Sequence, residues 1–211
     1  MKPYTALVSS FIFAFFSGAA HADWQADVNT TFSRKDVPTM NGKMSVKNEL
    51  IRIDLSEPME MSVIVQKKKK KAYTLMHPAK VVMDADLKQY EKQIPACSTT
   101  APETCYGKLG LKKAGTEKID GVECNVYAGT VKGNRKDGSE DVEMKIWQPT
   151  AAKNGPPAQL FVKTKDGETI ESKYSNVKRG PLADSLFVVP KNYQKAGNVE
   201  DLLKGFKGFG D

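Results

Sequence analysis

The chain is 211 residues long, with 32 Lys and Arg against 25 Asp and Glu, a formal net charge of +7 and three cysteines. That length suits one domain with a full core and is marginal for two. No helix-turn-helix, zinc-finger or RNP-like pattern accompanies the basic charge, which argues against nucleic acid and leaves a soluble surface, anionic headgroups or an acidic partner.

Residues 1–22 read as a cleavable export signal. Lys2 supplies a basic start, Ala6 to Phe16 an apolar stretch, and Ala20-His21-Ala22 a small-x-small site with cleavage after Ala22. The apolar run is too short for a comfortable membrane span. No cysteine follows the site to take a lipid anchor. The mature protein is expected to be soluble, monomeric and periplasmic, without an integral membrane segment.

From Asp23 the pattern is β. Trp24, Ala26, Val28 and Phe32 alternate with polar neighbours, predicting a first strand. Asn41-Gly42 predicts a hairpin turn, and Met44 and Val46 begin a second strand. Ile51, Ile53 and Leu55 continue with the opposite parity, so a bulge or tight turn is expected near Asn48-Glu49. Glu57-Pro58 separates this from a central hairpin. There Met59, Met61, Val63 and Val65 share one side, opposite Glu60, Ser62 and Gln66. Lys67, Lys68, Lys69, Lys70 and Lys71 form its tip, and Tyr73 and Leu75 return towards a His77-Pro78 turn. A short strand with Val81 and Met83 follows.

Asp84 can cap a short helix with Leu87, Tyr90 and Ile94 at helical spacing. Cys97 and Cys105 bracket STTAPET, a loop without helix or strand signal. In an oxidising compartment a Cys97–Cys105 disulfide is expected. Strand signal resumes at Lys118. Val122, Cys124, Val126 and Ala128 share a face, which makes Cys124 a buried small hydrophobe. A turn over 134–138 leads to Val142, Met144 and Ile146, the clearest alternation in the chain. Leu160 to Thr164, an Asp166-Gly167 turn and Glu168 to Val177 give another hairpin. Pro181 to Ser185 is a turn or short helix, and Leu186 to Pro190 a last apolar strand. The Gly- and Lys-rich tail, 196–211, has Val199, Leu202, Leu203 and Phe206 at helical spacing.

Nine to eleven strands joined by hairpins imply one antiparallel sheet over 23–195, curled or closed. The search for chemistry finds little. His77, the one histidine after the leader, sits in a turn and reads as an ordinary surface residue. There is no GxSxG, HExxH, P-loop or dinucleotide fingerprint, and no Cys/His cluster for a metal. No enzyme activity, catalytic residue, metal or cofactor is expected.

Several motifs in order resemble the LolA-like proteins, a group of lipoprotein carriers and related exported domains. They are Asn41-Gly42-Lys43-Met44-Ser45-Val46-Lys47 with Ile51-Arg52-Ile53-Asp54, and Tyr73-Thr74-Leu75-Met76-His77-Pro78-Ala79-Lys80. Ile119-Asp120-Gly121-Val122-Glu123-Cys124-Asn125-Val126-Tyr127 and Phe187-Val188-Val189-Pro190-Lys191-Asn192-Tyr193 complete the set. The resemblance implies a mainly-β fold: a curved antiparallel half-barrel sheet with one or two short helices covering its concave face and enclosing room for acyl chains. The chain departs from a carrier in starting its strands almost at the cleavage site, and Arg52 is the nearest match to the carrier's functional arginine.

Two functions follow. One is a carrier for acyl chains of a lipid or lipoprotein. Its ligand would lie on Met61, Val63, Val65, Tyr73, Leu75, Val126, Met144 and Ile146, with Arg52 and the five lysines 67–71 meeting headgroups. The other is a non-catalytic envelope module that docks an acidic protein or polymer through the lysine tip.

Overall fold

The computed structural model describes residues 23–87, 102–132, 141–152 and 155–196. Six strands come first: β1 (Trp24–Phe32), β2 (Met40–Lys47), β3 (Leu50–Glu57), β4 (Met61–Gln66), β5 (Lys71–Met76) and β6 (Val81–Asp86). A short helix, α1 (Pro102–Lys108), precedes β7 (Lys112–Ile119), β8 (Val122–Lys132), β9 (Asp141–Pro149), β10 (Gln159–Lys163), β11 (Thr169–Arg179) and β12 (Gln194–Lys195). All twelve strands belong to one open curved sheet, in the order β12-β6-β5-β4-β3-β2-β1-β11-β10-β9-β8-β7. Two antiparallel meanders therefore meet where β1 pairs with β11. The two-residue β12 joins β6 in parallel.

The turns follow local chemistry. Asn48 (φ 51°) lets β2 reverse into β3, and Asp120 (φ 48°) with Gly121 (φ 82°) closes the β7–β8 hairpin. Asn, Asp and Gly tolerate this left-handed backbone best. The lysine tip is a single 3-10 turn, Lys67–Lys69, ended by Lys70 at φ 53°. Asn41-Gly42, by contrast, is not a turn. It lies inside β2 at a bulge opposite β3. Gly42 is needed there for close approach, since a Cβ would sit 2.3 Å from the Asp54 carbonyl oxygen.

Pairing registers fix which side chains share a face. Ile53 lies opposite Met44 and Val63, Val65 opposite Ile51 and Ala72, and Val28 opposite Tyr174. These residues form a continuous apolar first face. Across β1–β5 it holds Trp24, Ala26, Met44, Val46, Ile51 and Ile53. Beyond β11 it continues as Tyr127, Met144, Ile146, Leu160 and Val162, beneath Tyr106 and Leu109 at the α1 end. Burial pushes the Tyr174 phenol up to about 12 on this face.

The opposite, second face carries two separate clusters. Cys124, Val126 and Trp147 pack with Phe161 and Ala158. Ile64, Leu75 and Val82 pack around Phe187, with Leu182, Leu186, Val189 and Tyr193 beside it. Residues 181–193 thus cross β3–β6 as a strap before β12 docks on β6. The strap is irregular apart from a 3-10 turn, Asp184–Phe187, where a strand over 186–190 was expected. Its side chains fill the second face, so no sheet ladder is needed to hold it.

Three other expectations are corrected. Asp84 lies in β6 and caps no helix, because alternation runs on through Asp86. The loop at Cys105 begins α1, with Pro102 at its first position, where a missing N–H costs nothing. Strand β7 starts at Lys112 rather than Lys118. The expected signal peptide, Tyr90, Ile94, Cys97, the turn expected over 134–138 and the expected tail helix lie outside the described residues.

Candidate functional site

The eight apolar candidates do not share a face. Met61, Val63, Val65, Met144 and Ile146 lie on the first, whereas Ser62 pairs with Leu75, Ile64 with Tyr73, and Val126 with Trp147 on the second. A strand residue and its neighbour point oppositely, and the hairpin register sets Tyr73 and Leu75 against the strap. Leu75 is fully buried against Phe187. Tyr73, Leu75 and Val126 are therefore core residues of the second face.

The basic candidates divide too. Arg52 is consumed internally: Nε donates to Asp54 Oδ1 at 2.7 Å, Nη2 to Ser62 Oγ at 3.0 Å and Nη1 to the Leu186 carbonyl at 2.9 Å. It ties sheet to strap and is not presented to a headgroup. Lys67 is half-buried, and burial pulls its ammonium below the ordinary lysine range while Glu49 acts against that shift. Lys71 pairs with Asp86 at 3.8 Å. Lys68, Lys69 and Lys70 are the exposed members of the tip.

His77 is no isolated surface residue. Its Nε2 lies 2.6 Å from Ser62 Oγ, and its Nδ1 lies 2.5 Å from Tyr193 Oη. Ser62 gives its own proton to Asp54 Oδ1 at 2.5 Å. Its oxygen must then accept from Arg52 and from His77 Nε2–H, which leaves Nδ1 to accept from Tyr193. One neutral tautomer satisfies every group. Ser62 is fully buried and its proton is committed to a carboxylate, so this serine–imidazole pair is not set up as a nucleophile.

The network backs a pocket of about 660 Å³ whose lining includes Asp27, Asn29, Asn41, Lys43, Asp54, Ser56, Glu60, His77 and Ser175. Asn29 donates to Asn41 at 2.6 Å and Asn41 to Glu57 at 2.8 Å. Among the described residues no group of three or more His, Cys, Asp or Glu side chains could hold a metal ion. Cys124 is free and buried, which pushes its thiol up. Cys105 is disulfide-bonded, and its expected partner Cys97 lies outside the described residues.

A family model described as a domain of unknown function, DUF4412, matches residues 28–146, more than half of the chain. The chain belongs to the DUF4412 family. The DUF4412 match runs from β1 into β9. It takes in His77, Ser62, Asp54 and most of the pocket lining, but not Asp27, Ser175 or the strap with Tyr193. No curated protein matches the chain. Solved structures similar to it include a LolA superfamily protein of Nitrosomonas europaea, at 14% identity, covering 86% of this chain and 96% of that one, with a TM-score of 0.43. The lipoprotein LppX of Mycobacterium tuberculosis is 10% identical over 85% of this chain and 98% of its own, with a TM-score of 0.46. LprF of Mycobacterium bovis is 12% identical over 91% and 99%, with a TM-score of 0.44.

Sequence reading missed the His77 network because its members are scattered. Ser62 is 15 positions from His77 and Tyr193 is 116. The one signal available was Ser62 itself, a polar residue sharing its side of β4 with the apolar Ile64.

Proposed function

We propose that the mature chain is a periplasmic binding or carrier protein for an acyl-chain ligand of a lipid or lipoprotein, held on the first face of β1–β5. The extent of that face supports the reading. It is apolar from Trp24 to Ala72, its eight central side chains are buried, and among the described residues Leu87 is the one hydrophobic side chain outside the strands in that cluster. Its β8–β10 continuation, by contrast, lies under α1. Met61, Val63 and Val65 would meet the chain, and burying a dozen methylenes at ~0.8 kcal/mol each would drive binding. Lys68, Lys69 and Lys70 would meet anionic headgroups at the tip. Export through residues 1–22, a monomeric state and a Cys97–Cys105 disulfide belong to the same proposal. The exposure of those three lysines also favours a second reading, docking of an acidic protein or polymer at the tip.

The test is native mass spectrometry of the mature protein from its own periplasm, followed by organic extraction. A co-purifying acyl species that disappears in a folded Val63→Asp variant is the expected result. A clean apo mass, with no uptake of fatty acid or phospholipid on titration, overturns the carrier reading.

A further inference from the structure

The first face is not closed along its whole length. The pairing registers set its residues in rows across the strands. Trp24, Val46, Ile51, Val65 and Ala72 form one row, and all five are buried. Four residues further along β1, Tyr174, Val28, Gly42, Leu55 and Met61 form another, and all five stay partly accessible. This open row crosses from β11 to β4, about 19 Å at the usual interstrand spacing.

The row is apolar except at its β11 end. There the Tyr174 ring packs on the cluster, and its hydroxyl makes no hydrogen bond among the described residues. Protein surrounds the phenol closely enough to push it up to about 12, with burial as the one cause, yet the residue keeps accessible surface. A group both hemmed in and accessible lines a recess. The phenol stays protonated at neutral pH, so it has an O–H to give. Trp24 carries the one other N–H or O–H side chain of the cluster, and it lies in the buried row. The lysines next to the open row, Lys43 and Lys173, point to the second face, where they pair with Asp27 and Glu171 at 3.8 and 3.4 Å.

We infer that Tyr174 donates to the ester carbonyl oxygen of an acyl chain lying along this row, and so sets the chain's register on the sheet. The inference rests on the carrier reading and narrows it to esterified chains. A free carboxylate at Tyr174 would have no cation to pair with, which is costly away from water. An amide would add an N–H that finds no second acceptor in the row. An ester carbonyl needs only the donor present. Met61, at the far end, is unbranched and adapts to the chain it meets.

The test titrates methyl dodecanoate into the full protein, with dodecane and dodecanoate as probes of equal chain length, all supplied from cyclodextrin. Calorimetry and the infrared carbonyl band of the bound ester are the readouts. The ester is expected to bind with a lowered carbonyl frequency, and dodecanoate to bind more weakly. Tyr174→Phe removes only an oxygen without a partner. It should weaken the ester by about three- to tenfold, restore the carbonyl frequency, leave dodecane unaffected and not lower the melting temperature. If neither ester nor dodecane binds the parent, the carrier reading falls and this inference with it. If both bind, but Tyr174→Phe leaves the ester unchanged or weakens both equally, this inference is overturned and the carrier reading stands. Dodecanoate binding as tightly as the ester overturns it likewise.

Discussion

Arg52, Ser62, His77 and Tyr193 act as one unit, although nothing local in the chain links them. Removing the imidazole takes one of three partners from Ser62 Oγ and the imidazole partner from the Tyr193 hydroxyl, and a hydrogen bond lost in this way costs about 0.5–1.5 kcal/mol. His77→Ala is therefore expected to lower unfolding free energy by about that much in urea titrations. Lys69→Ser, on the exposed tip, should stay within about 0.5 kcal/mol of the parent. Equal effects of the two would mean that His77 is the ordinary turn residue its neighbour Pro78 suggests. The contrast explains what could be read at this scale. Asn48 and Gly167 announce their turns because backbone conformation is a local property. Gly42 misled, because its role is set by the Asp54 carbonyl of the adjoining strand. The pocket residues Asp54, Glu60 and His77 were unremarkable for the same reason.

Strands were the most legible elements. Val142, Met144 and Ile146 alternate because one face of β9 is buried and the other is partly exposed. The strap was misread as a strand because an apolar run such as 186–190 fits any buried segment. Phe187, 1% exposed at the centre of its cluster, fills the space between strap and sheet. Phe187→Ala should cost about 3–5 kcal/mol, read as a lowered urea midpoint. A loss under about 1 kcal/mol would mean that the strap rests loosely on β3–β6. The strap ends at β12, where Lys195 Nζ meets Asp84 Oδ1 at 2.9 Å. That contact is the main reason Asp84 is held below its ordinary 3.8, and the Lys195 ammonium is raised in turn. A depressed carboxylate contributes stability above its unfolded pKa and loses it as pH falls through the folded one. As pH falls below 3.8 and through the lowered folded pKa, the tether should therefore release. The amide of Ala196, which donates to Val82, should then lose protection in hydrogen exchange. Asp84→Asn should show the loss already at neutral pH, and unchanged protection in both would sink the tether.

At the scale of the whole molecule, a mainly-β chain with one curved antiparallel sheet was legible because hairpin-length connections leave few other solutions. The assignment of one wet and one dry face was not. Antiparallel sheets commonly show that division, and Ser62 and Gln66 seemed to mark the wet side of β4. Both are buried, because a segment more than a hundred residues downstream lies over them. Gln66 Nε2 donates to the Phe187 carbonyl at 2.8 Å, so the amide N–H of that residue ties the sheet to the strap. Such long-range coverage leaves no trace in the periodicity of β4 and β5.

The path of the strap also sets an order in time. A chain made from its N-terminus presents β3–β6 long before residues 181–193 exist outside the ribosome. Until then Ile64, Leu75 and Val82 have no cover, and β1 lacks its neighbour β11. The first meander must therefore wait, half-finished and sticky, for the last fifth of the chain. Completion arrives as a single late event, which makes the newborn protein a natural client for chaperones that shield apolar strands.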